Sequence, residues 1–116
     1  MHEALWQATE VGIKAAVPGN RTDDVWRAMA KIIEAAGAIG NNVGRLGHGL
    51  GLQLTEPPSH RLGDGTLITE NMVLTIEPGM EYAPGKMIVH EENIAVTKDG
   101  SLLLTERAPR ELPVIR

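Results

Sequence analysis

The chain contains no cysteine. That excludes a disulfide scaffold, a thiolate metal site and a cysteine nucleophile, and it suits a reducing compartment without demanding one. Phenylalanine is absent too, and Trp6, Trp26 and Tyr82 are the only aromatic residues, so a core has to be built from Leu, Ile, Val, Met and Ala. No apolar run approaches the roughly 20 residues a membrane span needs. Met1-His2-Glu3 lacks the basic start and apolar stretch of a secretory signal, and a cytoplasmic location is the expectation. There is no excess of positive charge either: 11 Lys and Arg face 15 Asp and Glu, for a formal charge of −4. With basic residues scattered, a nucleic-acid partner is disfavoured. A length of 116 residues fits one domain or part of a larger one, and can bury a core without staples.

What is present falls into two halves. Ala4, Leu5, Ala8, Val11, Ala15 and Ala16 recur at three- and four-residue steps, predicting a helix over about 2–16 that Pro18-Gly19 stops. Thr22 is a candidate cap, with Asp23 and Asp24 at the positive end of the dipole. Val25, Met29, Ile32, Ile33 and Ala36 continue a second helix over about 23–36, with Gly37 as its C′ residue. Beyond Gly37 the character changes: residues 37–51 hold six glycines. Strands are expected within 50–55, where Pro57-Pro58 ends the run, and within 72–76, 88–97 and 101–105. Lys98-Asp99-Gly100 reads as a three-residue hairpin loop with Gly left-handed. Helices followed by strands make an α+β pattern, two helices on a small, mainly antiparallel sheet.

Phosphate-loop readings of the glycines fail, because no Gly-Lys-Ser/Thr occurs and a helix, not a strand, precedes the stretch. What remains is Gly47-His48-Gly49. A His between two Gly admits close approach of a second backbone or a ligand, although a plain surface His fits as well. Glu77 ends a strand before Pro78-Gly79, which suits a rigidly placed ligand or base, yet a solvated strand-end Glu is commoner. Glu91 and Glu92 are adjacent in a strand, so they point to opposite faces, and alternation does not say which lies inside. His48, Glu77 and Glu91 are 29 and 14 residues apart. Such spacing suits a site whose ligands converge from different strands, with a donor set appropriate to Mn²⁺, Zn²⁺, Co²⁺ or Fe²⁺. His2 and His60 read as solvent histidines, Trp6, Trp26 and Tyr82 as packing residues, and Arg45, Arg107 and Arg110 as partners for acids or for a subunit contact.

The ordered segments Gly47-His48-Gly49-Leu50-Gly51-Leu52 with Glu56-Pro57-Pro58, Met72 to Gly79, and Glu91 ahead of Val96-Thr97-Lys98-Asp99-Gly100 resemble the pita-bread (M24) metallopeptidases. That group includes Xaa-Pro dipeptidases, aminopeptidase P, methionine aminopeptidases and creatinase. The resemblance covers nearly the whole chain and implies the C-terminal half of a pita-bread catalytic domain. It implies a dinuclear centre of two Asp, one His and two Glu, with His48, Glu77 and Glu91 as catalytic metal ligands and a metal-bound hydroxide as nucleophile.

Two departures qualify that expectation. No Asp of this chain matches the family's Asp pair, so the piece by itself is expected to bind metal weakly and to be inactive, and its partner is the N-terminal half of the domain. Thr55 stands where the family's peptidases carry a second, substrate-facing His. Thr55 and His90 are therefore the substrate-binding candidates, and a creatinase-like C–N hydrolase or a sulfonium-acid lyase is the alternative to a peptidase acting on small peptides. A non-catalytic half that assembles with a chain carrying the Asp ligands is a further alternative. An uncovered sheet surface predicts a homodimer or poor solubility.

Overall fold

The computed structural model describes residues 1–39 and 44–116; of the six glycines noted above, Gly40 lies outside them. Helix α1 (His2–Ala15) and helix α2 (Thr22–Ala35) are joined by the Pro18-Gly19 turn. Seven strands follow among the described residues: β1 (His48–Gly49), β2 (Glu56–Ser59), β3 (Val73–Ile76), β4 (Gly79–Ala83), β5 (Lys86–Val89), β6 (Glu92–Thr97) and β7 (Gly100–Leu103). Every pairing is antiparallel. Five strands form one sheet in the order β2-β1-β3-β6-β7, and β4 and β5 form a separate hairpin.

The helices lie on one face of the larger sheet. Leu5 and Ala8 of α1, Val25, Met29 and Ile33 of α2, Leu74 and Ile76 of β3, and Ile94 and Val96 of β6 are buried together. Along β6 the alternation is regular: Glu92, Ile94 and Val96 are buried, while Asn93, Ala95 and Thr97 turn to the other face. Helix α2 ends in a Schellman motif, with Gly37 N donating to Glu34 O (3.0 Å) and Ala38 N to Ile33 O (3.3 Å). Gly37 takes the left-handed φ of +85° that this ending requires.

Several expectations are corrected. Residues 50–55 are not a strand; the ladder uses His48–Gly49 and Glu56–Ser59 on either side, and Leu52 and Leu54, 104% and 82% exposed, are not packed against the other described residues. Pro57 and Pro58 sit inside β2, which as an edge strand has spare N–H positions. The expected strand 88–97 is two strands, since β5 pairs with β4 and β6 with β3, and the chain changes sheet at His90-Glu91. The last hairpin turns through two residues, with Thr97 opposite Gly100. Helix α2 begins at Thr22, so the capping contact is Arg21 N donating to Asp24 Oδ2 (2.8 Å), while the Thr22 hydroxyl donates to Asp64 O (2.9 Å).

Candidate metal centre

The Gly47–Gly49 segment is wedged between two strands. A Cβ on Gly47 would overlap the Thr75 carbonyl oxygen, and one on Gly49 would overlap the Pro57 carbonyl oxygen. Gly47 also holds φ at +141°, which other residues adopt only with strain. The two glycines therefore let the backbones of β2 and β3 close on either side of His48, whose own N–H donates to Thr75 Oγ1 (3.0 Å).

His48 is 7% exposed. Its Nδ1 lies 2.8 Å from Gly49 O. A carbonyl oxygen can only accept, so Nδ1 carries a proton, and in the neutral ring it is Nε2 that offers its lone pair. Nε2 is 3.4 Å from Glu77 Oε2. In the neutral ring two lone-pair donors face one another, an arrangement that a proton or a metal cation completes. Fixing the imidazole through the far nitrogen is how ligating histidines are normally oriented.

Backbone hydrogen bonds tie together the segments that carry these groups. Glu77 N donates to Leu46 O (2.9 Å), His90 N to Pro78 O (3.0 Å), Leu46 N to His60 O (2.7 Å) and His60 N to Gly47 O (3.0 Å). His48, Thr55, Thr75, Glu77, Glu91 and Asn93 line one cleft of about 460 Å³ on the sheet face away from the helices. Glu91 is exposed on its wall. Among the described residues, no three His, Asp or Glu side chains are close enough to hold an ion by themselves. His48 and Glu77 are a fitting pair of donors, and Glu91 faces the same space.

His90 turns the other way. Its Nε2 is 3.0 Å from His2 Nδ1 on α1, and His2 Nε2 is 2.9 Å from Arg110 O. It lines a second cleft with His2, Ala108 and Leu112, which Val89 and Glu91 also border, and it is absent from the lining around His48 and Glu77. The structure therefore does not bring His90 together with His48 and Glu77. The expectation of a solvent histidine is corrected for His60: it is fully buried behind Gly47. Burial pushes its pKa down to about 4, against weaker upward pulls from the Thr22 and Thr75 backbones. Neither ring nitrogen reaches a partner in hydrogen-bonding geometry. Thr75 and Asn93 line the same cleft as His48 and Glu77 without being candidates from the sequence; each stands inside a strand, two residues from a candidate Glu just beyond that strand's end.

The model of metallopeptidase family M24 matches residues 1–98. The chain belongs to that family. Among relatives of this M24 chain, a putative dipeptidase of Bacillus subtilis is 38% identical over 115 residues, covering 99% of this chain and 31% of the relative. An Xaa-Pro dipeptidase of Lactobacillus delbrueckii subsp. lactis is 36% identical over 116 residues, again 99% of this chain and 31% of the relative. The solved prolidase from Pyrococcus furiosus superposes with a TM-score of 0.85 at 30% identity, over 93% of this chain and 32% of that one. The chain thus spans about a third of the length of these proteins, and its two helices and antiparallel sheet correspond to half of a pita-bread fold. Membership of a metallopeptidase family carries the general requirement for divalent metal ions in the complete enzyme.

Proposed function

We propose that this chain contributes His48, Glu77 and Glu91 to the divalent-metal centre of an Xaa-Pro dipeptidase-like hydrolase acting on small peptides. The observation that carries the reading is the His48 ring, held through Nδ1 by Gly49 O, facing Glu77 at 3.4 Å in a cleft that Glu91 also lines. One imidazole and carboxylates suit Mn²⁺, Co²⁺, Zn²⁺ or Fe²⁺. When bound, such ions supply Lewis acidity and lower the pKa of water. The chain's own part is to hold its donors in place. Gly49 O fixes the His48 ring, Leu46 O fixes the Glu77 backbone, and the cleft wall around Thr55 and Val89 receives substrate. The remaining Asp donors come from a segment outside these residues, in the same polypeptide or a separate one.

The test is hydrolysis of Xaa-Pro dipeptides with Mn²⁺ once the donor set is complete. Glu77→Gln should lower turnover by more than about a hundredfold, beyond what loss of an outer-sphere contact costs; retained activity would sink the assignment. Calorimetric titration of the chain alone should show weak Mn²⁺ binding, lost in His48→Ala, whereas tight binding of two ions would contradict the missing-donor part. Thr55 in the cleft favours a second reading. A hydroxyl is neither a charged nor a strong acid near neutral pH, so a creatinase-like C–N substrate is the competitor, and comparing turnover of the two substrate types decides between them.

A further inference from the structure

Glu91 and Glu92 are neighbours with opposite environments. Glu92 is 3% exposed on the helix side of the sheet. Its carboxylate accepts from Ala108 N (2.9 Å), Arg107 Nη1 (3.2 Å) and Thr105 Oγ1 (3.4 Å). Arg107 is held in turn: its Nη2 donates to Trp6 O (3.1 Å), and its guanidinium carbon sits 4.6 Å from the centroid of the Trp6 ring. The tail is closed over α1 by Trp6 Nε1 donating to Ala108 O (3.0 Å) and by Arg110 paired with Glu3. On the other side of Glu91, His90 N is bonded to Pro78 O. Glu91 therefore hangs between two anchors, a backbone hydrogen bond before it and a buried ion pair after it.

We propose that Arg107 is a positioning residue for Glu91, acting through Glu92. Without its cation the Glu92 carboxylate is a buried charge held only by Ala108 N and Thr105 Oγ1, and the cost of that uncompensated charge favours turning it toward water. Glu92 is the first residue of β6, opposite Ile76, so the strand end can rotate while buried Ile94 and Val96 keep the rest in register. Successive residues point to opposite faces, so carrying Glu92 outward carries Glu91 away from the cleft of His48 and Glu77. The C-terminal tail thereby becomes part of the support of the metal centre. Its effect on metal rests on the reading of Glu91 as a ligand; its effect on the strand does not.

The test combines NMR amide exchange with Co²⁺ titration on the 116-residue chain, in wild type, Arg107→Ala, Arg107→Lys and Arg110→Ala. Arg107→Ala should speed exchange of the Ile76 and Glu92 amides tenfold or more while leaving Ile94 and Val96 unchanged. It should weaken Co²⁺ binding by about 10- to 100-fold. Arg107→Lys should recover most of both effects, and Arg110→Ala, which frees only the outer Glu3 pair, should show neither. Unchanged exchange at Ile76 and Glu92, or equal acceleration of all amides, overturns the proposal. Should Arg107→Ala not fold, Glu92→Gln keeps the shape and must shift the same two amides. If wild type binds no Co²⁺, the metal reading fails separately, and the exchange data still decide the role of Arg107.

Discussion

Gly47 is the position where a single methyl group matters most to the candidate centre. Its positive φ and the Thr75 carbonyl beside it leave no room for a Cβ. Gly47→Ala is expected to cost about 3 kcal/mol by urea denaturation, whereas Gly65→Ala, with open space around it, should stay within about 0.5 kcal/mol. His60 behind it gives a second expectation, in pH. Its folded pKa of about 4 lies below the ordinary 6.5, so between those values the unfolded chain binds the proton and the folded one does not. The stability contributed by neutral His60 is complete above the ordinary value and is lost as pH falls toward the folded one. Unfolding free energies at pH about 7.5 and 4.5 should show His60→Leu losing about 2.5 kcal/mol less than wild type. Equal losses would show that His60 does not titrate in this way.

Elements here are joined by a few polar staples. Asp64 accepts from Ser59 N, Thr66 N and Thr66 Oγ1 (2.6–3.0 Å), and its carboxylate shares the one Thr22 hydroxyl proton with its own carbonyl, tying the start of α2 to the loop after β2. Burial opposes its charge, but these hydrogen bonds outweigh it and hold the carboxyl down to about 2. The contribution is present above the ordinary carboxylate pKa and fades as pH falls to the depressed one. Asp64→Asn should therefore cost about 1 kcal/mol near neutrality, after allowing for screening at a partly exposed site, and converge with wild type near pH 2. At the far end of α2, Gly37→Ala meets no neighbour but keeps the left-handed φ; about 1 kcal/mol is expected by thermal denaturation. The turn of the chain from one sheet to the other at His90-Glu91 is what brings Glu91 beside β3's Glu77 end.

For the molecule as a whole, the face that carries the cleft is also apolar and open. Leu52, Leu54, Met87 and Val89 are all exposed, and Leu54, Met87 and Val89 line the cleft with His48 and Glu77. Patches of this kind favour association. The chain alone is expected to self-associate at high concentration in light scattering, and Leu52→Ser with Leu54→Ser should reduce it. A wild-type chain that stays monomeric would count against that surface needing a cover. No helix among the described residues is long and apolar enough to cross a membrane.

Local chemistry was readable from residues alone. The three- and four-residue steps of α1 and α2, the Gly37 ending, and the two strands around Leu74 and Ile94 follow from periodicity and backbone preference, which act over a few neighbours. The order of the Gly-His-Gly, Glu-Pro-Gly and Glu91 segments likewise marked which residues to watch. Long-range pairing was not readable. Alternating Leu52 and Leu54 look like a strand, and whether they form one depends on a surface to pack against. His60 in a polar loop looks solvated until β1, β2 and β3 close over it. Adjacent Glu91 and Glu92 are chemically alike, and only tertiary contact with Arg107, fifteen residues from Glu92, decides that Glu92 goes inside and leaves Glu91 exposed at the border of the cleft. Sequence determines what each segment prefers; the burial of one charge against another is settled where segments distant along the chain meet.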